Sequence, residues 1–437
     1  MERFEEERLL FYCTLASATQ KLYLSYLRSD AEGKPLIASS YLVELVRAAG
    51  MKWEEGFVRV SGRLMDRLMQ VPITALTQKE LSLFLSLSSL SDKESSYEKA
   101  DLLTDVLKDS LEAAREISSW GKLNSRDGNV KQGKFIFDQQ NQKGFSPSAL
   151  QTLGKCPMKY FLSKAVGLRE KENSYNRSEL SADLKGSAYH EVLMDFYEAL
   201  HREGATATLF DNALQERLKQ SFAKYYSAGS YKKFGIYPVV WELIMEDMLD
   251  KLTRFVLQDV HALDGYIPSV FETMFEKKHS LTAQLEINLK GIVDRIDIHT
   301  QHKTFRVIDY KSSKLGGKDL KADMFRKLIL QPFIYLLLVG QTKILEGLRP
   351  DGAVLLSINK GYARQELTQE GFEQSYEGVQ SLLTLLMKIV CEGEFFINPT
   401  ADCEFCSYGS ICRKNSFRSV LRARRTGKYL CLEEAKK

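Results

Sequence analysis

The sequence predicts an α/β fold: a mixed central sheet flanked by helices, behind a mostly helical N-terminal part. The order of its patterns predicts this. Helical periodicity dominates up to about residue 263, short strand-like runs follow over 269–311, and a helix, a strand and a long helix close the series. Two of the strand-like runs, Lys290–Ile298 and Phe305–Ser313, carry Asp294, Asp309 and Lys311 at the ends of apolar stretches. A carboxylate after a β-branched run sits where a buried charge must be paired or bound to metal.

The elements follow in chain order. Leu9–Leu27 is rich in Leu, Tyr and Ala and predicts a strand at its end, Lys21–Tyr26. Ser39–Gly50 reads as an amphipathic helix capped by Ser39 or Ser40, and Leu76–Leu111 as a Leu/Ser-rich helical stretch. Asn124–Gly144 is polar apart from an apolar island at Phe135–Phe137, and predicts a linker and a domain boundary. Ser146-Pro147-Ser148 starts a helix, with Ser146 as cap and Pro147 at the first helical position. Glu170–Leu184 predicts a mobile loop, and helices follow over Gly186–Leu200, Thr208–Tyr226 and Val239–Leu263. Strands are expected over Ser269–Glu276, Gln284–Leu289, Gly291–His299 and Thr304–Lys311, with a turn at Thr300–Lys303. A helix from Met324 to Leu345 crosses to a strand at Gly352–Ile358, and Gln369–Glu392 is the last long helix.

Composition narrows the class. A length of 437 residues allows two or three domains, and a net charge of +4 does not by itself imply nucleic acid. Arg413–Lys428 is densely cationic; it reads as a solvated helix face or tail, or as a phosphate-contacting patch. Met1–Glu7 is charged and lacks a secretory apolar region, and the best apolar run, Leu328–Val339, is short and interrupted by Gln331 and Pro332. These features predict a cytoplasmic protein. The seven cysteines then read as metal ligands or core residues, not as a disulfide framework.

Two constellations carry chemistry. Asp294, Asp309 and Lys311 suit a metal-dependent phosphodiesterase: carboxylates hold a hard divalent cation, and an ammonium sits near the attacking water or the scissile phosphate. Glu272 is a further candidate carboxylate, with Glu276 and Glu286 as competitors. Gln331 and Tyr335 share a helical face, either as a polar pair on a core helix or as holders of the lysine or a DNA backbone. His190 is either a part-buried helical histidine or a ligand completing the metal's coordination. Cys403-x-x-Cys406 with Cys412 forms a thiolate cluster for zinc or for iron–sulfur, and Cys156, beside Pro157, is the best fourth ligand. Cys13, Cys391 and Cys431 read as incidental thiols.

In this order, His190 in Gly186-x3-His190-x-x-Leu193, Asp294 in Gly291-Ile-Val-Asp-Arg-Ile-Asp297, Asp309-Tyr310-Lys311 and Gln331-x3-Tyr335 resemble the RecB-type nucleases of the PD-(D/E)XK superfamily. With Cys156 upstream and Cys403-x2-Cys406-x5-Cys412 behind, the chain resembles the subgroup closed by a [4Fe–4S] cluster, above all the AddB subunits of AddAB helicase–nucleases. The resemblance covers about Phe145–Arg413 and implies a restriction-endonuclease-like fold. It implies that His190, Asp294, Asp309 and the Tyr310 carbonyl bind Mg²⁺ or Mn²⁺, and that Lys311 positions the water or stabilises the pentacovalent phosphate. It further implies that Gln331 and Tyr335 orient DNA and the catalytic groups, and that Cys156, Cys403, Cys406 and Cys412 hold the cluster.

Glu6-Glu7-Arg8-Leu9-Leu10-Phe11-Tyr12, with Leu15, Ala18 and Leu22-Tyr23-Leu24, is similar to the last helicase motif of UvrD-like helicases. Ser17 stands where that motif carries an arginine for the ATP γ-phosphate, and no Gly-x4-Gly-Lys-Ser/Thr loop occurs, so no independent ATPase is expected. The expected organisation is a helicase-like remnant with a helical connector over 1–123, a linker over 124–144, and a nuclease domain with a basic tail over 145–437. The expected function is a metal-dependent DNA exonuclease subunit, paired with an AddA-like helicase in double-strand-break processing for recombination. The rivals are a stand-alone iron–sulfur exonuclease of the kind that trims CRISPR spacers, against which the helicase echo argues, and a non-catalytic DNA-end-binding scaffold, against which the intact Asp294, Asp309 and Lys311 argue.

Overall fold

The computed structural model describes residues 2–30, 34–53, 77, 80, 83, 105–169, 179–204, 210–313, 315, 320–340, 342–358 and 362–436. The chain divides into two compact units, Met1–Glu112 and Ala113–Lys437. In the first, the helix Ser40–Ala48 buries Leu42 and Val46, and Tyr41 stacks on Phe11 of the helix Glu2–Ala16. The predicted strand Lys21–Tyr26 is not one: it finds no pairing partner among the described residues, and a lone strand has no ladder to satisfy it. Most of the predicted helix Leu76–Leu111, much of the Glu170–Leu184 loop and the first residues of the Thr208–Tyr226 helix lie outside the described residues.

The second unit is built on a five-stranded sheet in the order β1-β2-β3-β4-β5. β1 (Ile267–Thr282), β2 (Leu285–His299) and β3 (Thr304–Lys311) pair antiparallel. β4 (Arg349–Ser357) lies parallel to β3, and β5 (Ala363–Thr368) antiparallel to β4. Gln284–Leu289 and Gly291–His299, expected as separate strands, are one, because Gly291 keeps its pairing with Phe275. β5 escaped prediction; it is a short edge strand with only Gln365 and Leu367 turned inward.

Side chains alternate across the sheet and so divide between two layers. Phe305 and Val307 join one layer, which includes the buried helix Gln331–Val339 and the helix Gln369–Glu392. Ile308 and Tyr310 join the other, with the helices Ala182–Glu203, Asp211–Tyr225 and Pro238–His261. Asp309 and Lys311 therefore share the face of Val307, under the Gln331–Val339 helix. The helix expected over Met324–Leu345 is interrupted. It forms Leu320–Arg326 and Gln331–Val339, then a 3₁₀ turn at Lys343–Leu345. Proline fits only a first helical turn, and Pro332 takes that place; Leu328 turns the chain with a φ of 57°.

The Asn124–Gly144 segment is folded, not an open linker. It forms a 3₁₀ turn at Ser125–Asp127 and the helix Gly133–Lys143, which buries Phe137 and packs on the Gln369–Glu392 helix. Its apolar island supplies that face, and Gly133 permits the approach: a Cβ there would stand 2.3 Å from the Gly393 nitrogen. Val130 N–H donates to Gly393 O at 2.7 Å and Phe395 N–H to Gly128 O at 2.8 Å, tying this segment to the far end of the unit.

The cationic C-terminal run is not a loose tail. It forms the helices Phe417–Arg424 and Gly427–Ala435. Arg422 is 1% exposed and pairs with Asp127, Arg418 donates to Ser118 O, and Lys428 pairs with Glu392 and Glu394. Three of its cations are thus spent on contacts within the protein, while Arg424 and Arg425 stay exposed. Among the described residues no helix is long and apolar enough to cross a membrane.

Removing one partner of a buried ion pair strands the other charge. Arg422→Leu is therefore expected to cost about 3–5 kcal/mol. The exposed Arg424→Ala should stay within about 0.5 kcal/mol of the parent. Urea unfolding of the two variants checks this, and equal stabilities would refute the role of the Asp127–Arg422 pair.

Candidate metal centre

Each chemical residue is placed by a regular element. Ser181 caps the Ala182–Glu203 helix by accepting from Leu184 N–H, and that helix carries His190 to the sheet. Phe271 pairs with Arg295 and Thr273 with Val293, so Glu272 on β1 stands opposite Asp294 on β2. Asp309 and Lys311 end β3. Gln331 and Tyr335 lie one turn apart on the overlying helix, and a Cβ on Gly291 would meet the Tyr335 ring at 2.9 Å.

These residues converge. His190 Nδ1 lies 3.3 Å from Glu272 Oε1 and 3.5 Å from Asp294 Oδ1. Asp294 Oδ2 accepts the Tyr310 backbone N–H at 2.8 Å, which joins the ends of β2 and β3. Lys311 Nζ is 2.6 Å from Asp309 Oδ2 and donates to Gln331 Oε1 at 2.6 Å; Gln331 Nε2 donates to the Tyr335 hydroxyl at 2.8 Å. The polar pair foreseen on the helix thus holds the lysine. A cleft of about 750 Å³ opens beside His190, Glu272, Ile292 and Ser312. Glu276 and Glu286 are engaged elsewhere, with Asn288 and Lys278 respectively.

Electrostatics mark the centre. Asp309 is 2% exposed, and its carboxylate is paired with Lys311. Burial raises its pKa to about 7; Lys311 opposes the rise and Asp294 adds to it. Burial alone would lower the His190 pKa, but hydrogen bonds and charges from Asp294 and Glu272 outweigh it and raise it to about 10. Carboxylates with one imidazole form a donor set for a hard divalent cation.

The reverse face of the sheet holds a network that sequence reasoning missed. Arg295 is fully buried and donates to Asp259 at 2.7 Å, to the Tyr310 hydroxyl at 2.8 Å and to Asp297 at 3.1 Å. Arg306 Nε donates to Asp297 at 3.1 Å. The alternation of charges in Asp294-Arg295-Ile296-Asp297 was the available signal: opposite faces of one strand, both charged.

Four of the cysteines lie near one another. Cys156, Cys403, Cys406 and Cys412 are all free and part-buried, and the Cys412 sulfur senses the charges of the other three. Burial raises the Cys156 thiol and pushes Cys412 up to about 11. Backbone hydrogen bonds oppose this, from Asn398, Lys159 and Met158 at Cys156 and from Lys414 at Cys412. Buried thiols ringed by N–H donors suit a ligand set that ionises on binding metal. Cys13 and Cys431 are exposed, and Cys391 lies apart on the Gln369–Glu392 helix.

The raised Asp309 pKa has a direct consequence. An unfolded chain releases this proton near pH 4 and the folded one near pH 7. Metal-free stability from this group therefore falls as pH rises through that window and stays lower above it. Asp309→Asn is expected to be more stable than the parent at pH 8 in EDTA, on the order of a few kcal/mol, with the difference vanishing near pH 4. Urea unfolding at both pH values measures it; a pH-independent difference would contradict the burial argument.

Comparison with known proteins adds the family. The family model described as the PD-(D/E)XK nuclease superfamily matches residues 144–413. Among curated proteins, the chain is 24% identical over 518 aligned positions to the B-type subunit of the ATP-dependent helicase/deoxyribonuclease of Thermoanaerobacter sp. (strain X514), covering 99% of this chain and 43% of that protein. The proteins of the same name from Bacillus subtilis (strain 168) and Moorella thermoacetica are 26% and 27% identical, over 77% and 83% of this chain and 29% and 32% of their own lengths. The chain thus spans less than half the length of these relatives. With the mixed sheet bearing Asp294, Asp309 and Lys311, and a family match over most of its length, the chain belongs to the PD-(D/E)XK nuclease superfamily.

Proposed function

We propose that this chain is a divalent-cation-dependent DNA exonuclease acting as the B-type subunit of a helicase–nuclease, alongside an AddA-like ATP-driven partner. The observation that carries the nuclease reading is Asp309: a buried carboxylate paired with Lys311 and within electrostatic reach of Asp294 and His190. The names and coverage of the relatives support the helicase–nuclease reading, including DNA-break processing and a heterodimer. The helicase-like remnant over 1–123 and the nuclease domain over 145–437 belong to the same proposal, with the 124–144 segment between them packed as turn and helix.

His190, Asp294, Asp309 and the Tyr310 carbonyl would hold Mg²⁺ or Mn²⁺. When bound, the ion supplies Lewis-acid activation of water and neutralises charge developing on the phosphate. Lys311 sits beside Asp309, and its ammonium offers a proton or a counter-charge to the reacting phosphate. Gln331 keeps that ammonium in place, and Tyr335 keeps Gln331 in place. Cys156, Cys403, Cys406 and Cys412 would hold a [4Fe–4S] cluster.

The test is degradation of single-stranded and duplex DNA by anaerobically purified protein, with and without Mg²⁺ or Mn²⁺. Cleavage is expected to need the cation, to vanish in Asp309→Ala, and to fall at least about 100-fold in Lys311→Ala. Iron analysis of the same sample should return about four atoms per chain. Cleavage that survives Asp309→Ala would overturn the assignment, as would DNA binding without any cleavage when the helicase partner is supplied.

A further inference from the structure

We propose that a cavity at the far end of the sheet binds an uncharged nucleobase, either as a free nucleoside or on a nucleic-acid strand. This site is separate from the metal centre and stands without the nuclease reading. The cavity measures about 590 Å³ and opens where β2 turns into β3, beside the C-terminal ends of the helices Ala182–Glu203 and Pro238–His261. That volume suits a small ligand. His299 in its wall pairs with Thr304, which stands five positions before Asp309 along β3. At about 3.3 Å per residue, this separates the cavity from the metal centre by roughly 17 Å.

One polar group is built into the wall. His299 is 9% exposed. Its Nδ1 accepts the His302 backbone N–H at 3.3 Å, so the proton of the neutral ring sits on Nε2. Among the described residues nothing accepts that proton. A Cβ on Gly265 would stand 2.8 Å from Nε2, so glycine keeps this donor open to the cavity. The imidazole is held in place by Tyr266, against which it packs edge-on. The Tyr266 hydroxyl donates to Asp351 at 2.8 Å, and Arg306 lies over its ring at 4.3 Å. A donor fixed in this way is ready for a ligand before one arrives.

The rim supplies an acceptor. Tyr266 N–H donates to Leu263 O at 2.9 Å, closing a turn whose central residues have positive φ, 49° at Asp264 and 80° at Gly265. Glycine suits that backbone, and aspartate adopts it at a cost. The turn sets Asp264 on the cavity wall, one residue from the glycine that adjoins Nε2.

This donor and this acceptor decide the ligand's class. Among the described residues of the wall there is no lysine or arginine, and His261 is already paired with Asp211 at 3.0 Å. A phosphate would meet the Asp264 charge and no fixed cation. A flat, neutral ring fits instead. Its face lies against aliphatic side chains such as Leu214 and Val260, and its edge carries an acceptor for Nε2–H and an N–H for Asp264. The edges of nucleobases present acceptors and donors side by side in this way.

The test is titration of the full chain in EDTA with adenosine, guanosine, cytidine and uridine, followed by calorimetry, with urea unfolding in parallel. At least one nucleoside is expected to bind with a dissociation constant of about 1 mM or tighter. Asp264→Gly and His299→Phe are each expected to weaken that binding about tenfold or more. Glycine fits the backbone of Asp264, so Asp264→Gly decides the matter if His299→Phe does not fold. Asp309→Ala, at the metal centre, should bind the nucleoside as the parent does. A short single-stranded oligonucleotide that displaces the nucleoside would make a strand-borne base the ligand, and one that does not would make the ligand the free nucleoside. Absence of nucleoside binding by the folded parent would overturn the site. Parent-like affinity in either folded variant, or loss of binding in Asp309→Ala, would overturn it equally. No readout uses cleavage, so a negative result leaves the nuclease reading standing.

Discussion

The sheet carries buried negative charge on both of its faces, and neutralising that charge governs the rest. On the reverse face, Asp259 and Asp297 each accept from a buried arginine through at least one oxygen. Removing water there cost several kcal/mol per ion and was offset by fixed pairing. At the other centre, Glu272 meets His190, Asp294 meets His190 and the Tyr310 backbone N–H, and Asp309 meets Lys311. That centre adjoins an open cleft beside His190 and Glu272.

The two faces are joined through Tyr310. Its hydroxyl accepts from Arg295 on the reverse side, while its backbone N–H holds Asp294 on the front. The reverse-face network thereby fixes the strand that carries Asp309 and Lys311. Lys311 is held similarly at second hand, by Gln331 and then Tyr335, and the helix bearing them begins where Pro332 forces it to begin. Gly291 lets the Tyr335 ring rest on β2. Asp294 and Lys311 are thus each held by a neighbour that is itself held.

Much of this was legible in the sequence, for identifiable reasons. Asp294, Asp309 and Lys311 stood out because charge at the end of an apolar run is costly, and the Ser146–Pro147 helix start because its chemistry is local. Gln331 and Tyr335 were visible as a helical i, i+4 pair. What stayed hidden depended on distant partners. Phe137 turns the polar Asn124–Gly144 stretch into a packed helix only because the Gln369–Glu392 helix lies beneath it. The arginines of the C-terminal run found Asp127 and the Ser118 carbonyl some 300 positions away along the chain, so a charge run read locally suggested a tail. Glu272 could not be separated from Glu276 and Glu286 without the register that sets it opposite Asp294.

Those distant contacts share a location. The segment 117–130 meets Gly393, Phe395 and Arg422, and Cys156 meets the loop of Cys403, Cys406 and Cys412. The beginning and end of the unit are therefore fastened at neighbouring points, by backbone pairing, by one buried ion pair and by thiols. Closing so long a loop removes much freedom from the unfolded chain, and the benefit grows only slowly with length, so a single fastening would supply most of it. Redundant fastenings serve geometry more than stability: they fix the 393–412 segment against the helices that carry Cys156. Thiols that are buried, and raised in pKa by that burial, stay protonated until something binds them. The backbone pairing and the Asp127–Arg422 pair need no such event, so they can set the cysteines in place before any cluster arrives.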